Sequence, residues 1–490
     1  MQTNLIYVAV LIAVALAFGA AVMFATPASI KWDEALESDR AALRATLDVN
    51  HPINPLAPAK ASNVGEEAST TVTPQRYAYE LIAAATAFHD PHISVEPITP
   101  LPTPRWPGFL IARRGGLVLV VSRAEKDPML PPLGAILDRC DGAGLEALMA
   151  SRVLPYGLDQ RVVANRYRAV AEALIDRGNP LAPPPSSCTF TVGGETKAYK
   201  LAYVDVPADF PARYEAALFG RPALLKWSEP APGVVWIGIP SFDYDEPNAS
   251  RLRPLIDRLG SDAARLRDGR AIVFDVRGNT GGSSLWADEI RNILWYPEQI
   301  AKWGPPDPSG VDWRASAGNR DYMLALIDKV IPKVGSQSDT GLALTRIARG
   351  LSEAAAQKKT YWREGNASPG AGGGLTKRRP TAEKPLFKAK VIILSNGSCA
   401  SACLDFADRI LQMPGTYLVG FPTAGDGLTT ESRAVTLPSG HAILHFPMKI
   451  YRGRPRGDME YYEPDAAFDG SWTDENVRAW LLGLIEQGKP

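Results

Sequence analysis

Two short, wholly apolar runs constrain this chain most. Ala271-Ile-Val-Phe274 and Val391-Ile-Ile-Leu394 each run into a turn of small and polar residues. An unbroken apolar run of that length, with no polar alternation, suits a strand covered on both faces. Helical patterns stand where such a sheet needs them. Residues 249–267 carry Leu252, Leu255, Ile256 and Leu259 at helical spacing, and a second helix is expected over about 401–412. With 234–239 as a further strand, the alternation predicts a layered α/β core over 207–490. A mostly helical insertion is expected within it, from about 284 to 356 and closing near 385. A Gly-rich loop at 365–374 lacks the G-K-S/T order of a phosphate loop.

Upstream, residues 31–49 and 74–88 read as amphipathic helices joined by a Pro/Ala/Ser/Asn-rich linker at 51–73, within a helical N-terminal region over 29–100. A β-rich segment follows over 101–206. Residues 5–24 carry no charge and are nearly all apolar, long enough to span a bilayer as a helix. The small residues Ala25-Thr26-Pro27-Ala28 would suit a signal peptidase. Residues 1–28 are therefore expected to be a signal peptide or a membrane anchor, with the body exported to the periplasm or cell envelope. Lys31, Arg40 and Arg44 follow the segment and argue for the opposite orientation, but large domains often translocate regardless of that bias. Lys plus Arg and Asp plus Glu are both 53, so charge makes no case for a nucleic-acid partner. The cysteines, Cys140, Cys188, Cys399 and Cys403, permit disulfides in an oxidising compartment without demanding them, and their spacing is no zinc pattern. The plainest expectation for Cys399 and Cys403 is two small buried residues.

Three stretches carry chemistry. Phe274-Asp-Val-Arg-Gly-Asn-Thr-Gly-Gly282 ends a buried strand in a glycine-rich turn whose amides can face a developing oxyanion. Val391-Ile-Ile-Leu-Ser-Asn-Gly-Ser-Cys-Ala-Ser-Ala-Cys403 runs a strand into a helix opening near Ser401. A serine there sits at the positive end of the helix dipole. A simple helix cap, by Ser398 or Ser401, is the alternative. Phe88-His-Asp-Pro-His-Ile-Ser94 holds two of the five histidines. No third ligand accompanies His89 and His92, so neither a metal nor any other cofactor is expected.

Together these stretches resemble the carboxyl-terminal-processing (tail-specific) serine peptidases. The order of motifs is kept: Asp90-Pro91-His92, Asp275-Val-Arg-Gly-Asn-Thr-Gly-Gly282, Cys399-Ala-Ser-Ala-Cys403, Gly420-Phe-Pro-Thr-Ala-Gly425 and Glu463-Pro-Asp465. Between the first two, Gly134-Ala-Ile-Leu and the helix expected after it resemble a PDZ domain, a module that binds peptide ends by strand addition. The resemblance implies a crotonase-like α/β core, Ser401 as nucleophile, Gly281 and Ala402 as oxyanion amides, and a protein or peptide substrate.

Two departures matter. Asp426 stands where members with a Ser-Lys dyad carry the lysine, and Leu404 stands where the family shows a glutamate. The base must come from elsewhere. Some relatives use a histidine in the first motif with a late glutamate, which implies His92 as base, oriented by Glu460 or, second, Asp458. A catalytically inactive peptide-binding relative is the alternative, followed by a non-peptidase hydrolase or lyase on the same core.

Overall fold

The computed structural model describes residues 30–53, 71–124, 127–243, 248–304, 310–364, 385–454 and 456–489. The apolar segment at 5–24, the Gly-rich loop at 365–374 and most of the 51–73 linker lie outside these residues. No described helix is long and apolar enough to cross a membrane.

The two apolar runs are neighbours at the centre of a six-stranded sheet. Its order is Ala466–Ala467, Thr416–Phe421, Lys390–Asn396, Ala271–Asp275, Val234–Gly238, Lys226–Ala231, parallel except at the last pairing. Successive side chains of a strand point to opposite faces, so each run feeds two cores. Val235, Ile237, Ile272, Phe274, Val391 and Ile393 pack on helices Asn248–Ser261, Leu285–Leu294 and Ala402–Ile410. Val234, Trp236, Val273, Ile392 and Leu394 face Phe210–Phe219 and Asp474–Glu486. Full burial of each large side chain contributes roughly 1.5–3 kcal/mol. That is why these strands show no polar alternation.

The expected single helix over 249–267 is two, Asn248–Ser261 and Ala263–Asp268. The expected helical insertion also needs correction. Leu285–Leu294 belongs to the core, burying Trp286, Ile290 and Leu294. The strand Gly310–Arg314 interrupts the remaining helices and enters a second, antiparallel sheet built around Ala442–Arg452. Ser94–Pro97, two residues after His92, pairs with the other end of that long strand along the same edge, and Thr429–Thr436 pairs along the opposite edge. The N-terminal helices Trp32–Asn50 and Pro74–Thr86 pack on this sheet through Leu43, Leu47, Tyr77 and Leu81. The β-rich segment is a five-stranded antiparallel unit, Phe109–Arg114 to Glu195–Lys200, with helices Leu145–Arg152 and Val163–Glu172 against it.

Candidate active site

The loop after Ala271–Asp275 is built by its own side chains. Arg277 donates from Nε and Nη2 to the two Asp275 oxygens, each at 2.8 Å, in a pair buried under Trp236. Asn279 donates to the Ile239 carbonyl at 2.9 Å, and the Asn396 side chain accepts from the Gly278 amide at 3.1 Å. These bonds bring Gly281 against the end of Lys390–Asn396. A Cβ on Gly281 would lie 2.7 Å from Ser401 Cβ and 3.1 Å from the Ala402 nitrogen, and its φ is +117°. Only glycine fits there. Its amide donates to Asn279 Oδ1 at 2.9 Å. Among the described residues nothing accepts from the amide of Ala402, the first residue of its helix.

Ser401 is the N-cap of Ala402–Ile410 by position but not by chemistry. Its side chain makes no capping hydrogen bond, its φ and ψ are +51° and −123°, and it is exposed between the half-buried Ala400 and the buried Ala402. An ordinary N-cap serine is extended and spends its oxygen on an amide of the first turn. Positive φ costs a residue bearing a Cβ of order 1–3 kcal/mol and persists only where the surroundings impose it. Cys399 and Cys403 are buried, as expected, and are joined in a disulfide across this turn.

The 423–427 loop ties the nucleophile turn to the histidine motif. The Ala424 amide donates to the Cys399 carbonyl at 3.1 Å. A Cβ on Gly427 would sit 3.1 Å from Pro91. Asp426, in the lysine's place, pairs with Arg454 at 3.0 Å, and Arg454 also reaches Asp405, one turn into the nucleophile helix, at 3.3 Å. Burial alone would raise the Asp405 carboxyl, but Arg454, Arg409 and Arg456 hold it below its usual range.

His92 is 30% exposed. Burial pulls its pKa down, but the hydrogen bond and charge of Asp90, with the charge of Asp426, more than offset this, and the net shift is upward against Arg454. Asp90 is the carboxylate that faces the imidazole. Its Oδ1 lies 3.7 Å from His92 Nδ1 and accepts from the His92 amide at 2.8 Å. Its Oδ2 meets the Thr429 hydroxyl at 2.7 Å and Nε2 of the fully buried His51 at 3.0 Å. Burial would raise Asp90, yet these partners depress it. Thr429 Oγ1 is 3.5 Å from His92 Nδ1. The Nδ1 side is thus occupied, and no hydrogen bond joins His92 to Ser401 among the described residues.

The late acids are placed differently. Met459 donates its amide to the Asp426 carbonyl at 2.9 Å, so their segment does dock on the same loop. Asp458 Oδ2 pairs with Arg161 at 3.0 Å and its Oδ1 accepts from the Leu428 amide at 3.2 Å. Glu460 Oε2 accepts from the Gly457 amide at 2.6 Å. The roles of Asp90, Thr429 and His51 escaped the sequence reading. Asp90 had a signal, two residues before His92. Thr429 and His51 had none, because each is brought in by a different element. No group of three or more His, Cys, Asp or Glu suited to a metal ion occurs among the described residues.

Residues 233–467 match the model of peptidase family S41. Over these residues, just under half of the chain, the sequence is that of an S41 peptidase. The matched S41 region holds Gly281, Ser401, Ala402, Asp458 and Glu460, and leaves His92 outside. The fold resembles the crystal structure of mature CPAF, at 13% identity and a TM-score of 0.58 over 93% of this chain and 98% of that one. Mature CPAF complexed with lactacystin matches at 13% identity and a TM-score of 0.57, over 93% and 99%. At such identity the likeness is one of fold. A search of curated proteins finds no match. The family and the fold are those of a peptidase.

Proposed function

We propose that this S41 peptidase works by serine chemistry, with Ser401 as nucleophile and His92 as general base. The observation that carries the reading is the uncapped, exposed Ser401 seated against Gly281, beside an Ala402 amide that has no acceptor among the described residues. Ser401 Oγ attacks a peptide carbonyl as its proton passes to His92 Nε2. The oxyanion is met by the Ala402 amide, and by that of Gly281 once it leaves Asn279 Oδ1. The tetrahedral intermediate collapses as His92 returns the proton to the leaving amine, and water then hydrolyses the acyl-enzyme by the same route. Asp90 positions the imidazole through its Nδ1 side and stabilises the imidazolium. Glu460, or second Asp458, is the alternative orienting carboxylate, which would take the place of Asp90 at Nδ1 in the substrate-bound state.

The β unit at 101–206 is read as a PDZ-like module that captures C-terminal tails of substrates by strand addition. Two disulfides, Cys140–Cys188 and Cys399–Cys403, support export to an oxidising compartment, with the apolar segment at 5–24 as signal or anchor. One observation favours an inactive peptide-binding relative: no hydrogen bond joins Ser401 to His92 among the described residues. Catalytic hydrogen bonds often tighten only when substrate binds. A fluorophosphonate probe decides between the readings. Labelling of the wild type that disappears in Ser401→Ala supports the serine peptidase; a folded wild type that takes no label sinks it.

A further inference from the structure

The turn that holds Ser401 is closed covalently. Cys399 and Cys403 are both fully buried, four positions apart, and their disulfide spans the exposed serine between them. Ser401 stands at φ +51° with its hydroxyl unspent. The competing conformation is the ordinary one for a serine at this place: extended backbone, with the hydroxyl accepting from the Cys403 or Leu404 amide as a helix cap. That relaxed turn would take Oγ away from Gly281 and occupy its lone pair. Few other bonds oppose it. Ala424 donates to the Cys399 carbonyl at 3.1 Å, and Cys403 donates to the Ala400 carbonyl at 3.0 Å. Neither touches the Ser401 side chain.

We propose that the Cys399–Cys403 disulfide is a positioning device that selects the reactive conformation of Ser401 over the capped one, so that the peptidase is competent only when oxidised. The inference rests on Ser401 being the nucleophile. Forming the bond removes two electrons and two protons from the two thiols. A disulfide donor accepts them and is reduced to a dithiol. In a reducing compartment the pair stays as thiols and the serine stays capped; oxidation after export switches it on. Cys140–Cys188, across adjacent strands of the β unit, has no such relation to the serine.

The test measures the second-order rate of fluorophosphonate labelling at Ser401 in the full chain. The protein is poised in dithiothreitol buffers of stepped redox ratio, and each cysteine's state is read by differential alkylation and mass spectrometry. Labelling should fall at least tenfold as the Cys399 and Cys403 thiols appear, with the far-UV circular dichroism unchanged, and return on reoxidation. A Cys140→Ala/Cys188→Ala variant, which retains the 399–403 bond, should behave in the same way. Cys399→Ala/Cys403→Ala should label slowly whatever the redox buffer, and it carries the test where the buried bond resists reductant. Should that variant fail to fold, the titration of the wild type decides. Wild-type labelling rates in the 399/403 variant, or in protein whose Cys399 and Cys403 are demonstrably reduced, overturn the proposal. Oxidised wild type that takes no label at Ser401 overturns the serine-peptidase reading, and this inference with it.

Discussion

Asp90→Asn isolates one charge in the proposed machinery. Asp90 faces His92 Nδ1 at 3.7 Å, and the imidazole becomes cationic as it takes the serine proton. Two unit charges at that distance interact by about 4 kcal/mol at an effective dielectric of 20. Because the His92 side chain is 30% exposed, solvent screens part of this. About 1.5–3 kcal/mol survives, which at roughly 1.4 kcal/mol per decade is a 10- to 100-fold loss of rate. The variant also turns an amide donor toward His51 Nε2 or the Thr429 hydroxyl, both of which approach Asp90 Oδ2. The pH dependence separates this from general damage. The base must be neutral, so the wild-type labelling rate rises with pH through the upward-shifted His92 pKa. Without Asp90, burial opposes the cation more freely, and the rising limb moves to lower pH while the plateau falls. The assay is Ser401 fluorophosphonate labelling across pH 5–9, with thermal unfolding as the control. A variant that keeps the wild-type plateau and limb would show that Asp90 does not act on the base, and a flat wild-type profile would remove His92 from the mechanism.

Four further outcomes follow from the geometry. Gly281→Ala places a Cβ 2.7 Å from Ser401 Cβ at φ +117°, so labelling should fall about 100-fold, with a stability loss of about 1–3 kcal/mol seen in urea unfolding. His92→Ala removes the base outright, and casein cleavage should drop by about 10² to 10⁴-fold, the usual range for general-base loss. Cys140→Ala/Cys188→Ala opens a loop spanning 48 positions and should cost on the order of 4 kcal/mol by the chain-entropy account, read in the urea midpoint. Asp408→Asn breaks a buried cluster in which Asp408 accepts from Arg456 Nε at 3.1 Å and from the Tyr462 hydroxyl at 2.8 Å. It should destabilise the core by about 3 kcal/mol, measured by calorimetry.

Acid unfolding has a predictable sign at one site. Asp90 is held below the usual carboxylate range in the folded chain, so its contribution is present above the unfolded pKa of about 3.9 and is lost as pH falls toward the depressed folded value. His92 runs the other way. Its raised folded pKa adds stability below the unfolded value near 6.5, and that contribution disappears as pH climbs through the folded pKa.

Much of the architecture was written locally. Strands buried on both faces must be apolar throughout, so Ala271–Phe274 and Val391–Leu394 announced the sheet centre by composition alone, and the nucleophile turn and glycine loop followed at their ends. Local pattern could not show that Leu285–Leu294 belongs to the core rather than to an insertion. Nor could it show that Gly310–Arg314 joins the sheet that carries the histidine motif, because strand pairing over long separations leaves no local trace. The partners of His92 were hidden for the same reason. Asp90 lies beside it in the chain, but Thr429 and His51 arrive from separate elements, and only folding brings His51 Nε2 within 3.0 Å of Asp90. The nucleophile shows the division most sharply. Sequence placed a serine at a helix start, where capping and catalysis look alike. The distinction lies in a backbone angle and a covalent bond between its neighbours, and both are set by what the turn packs against.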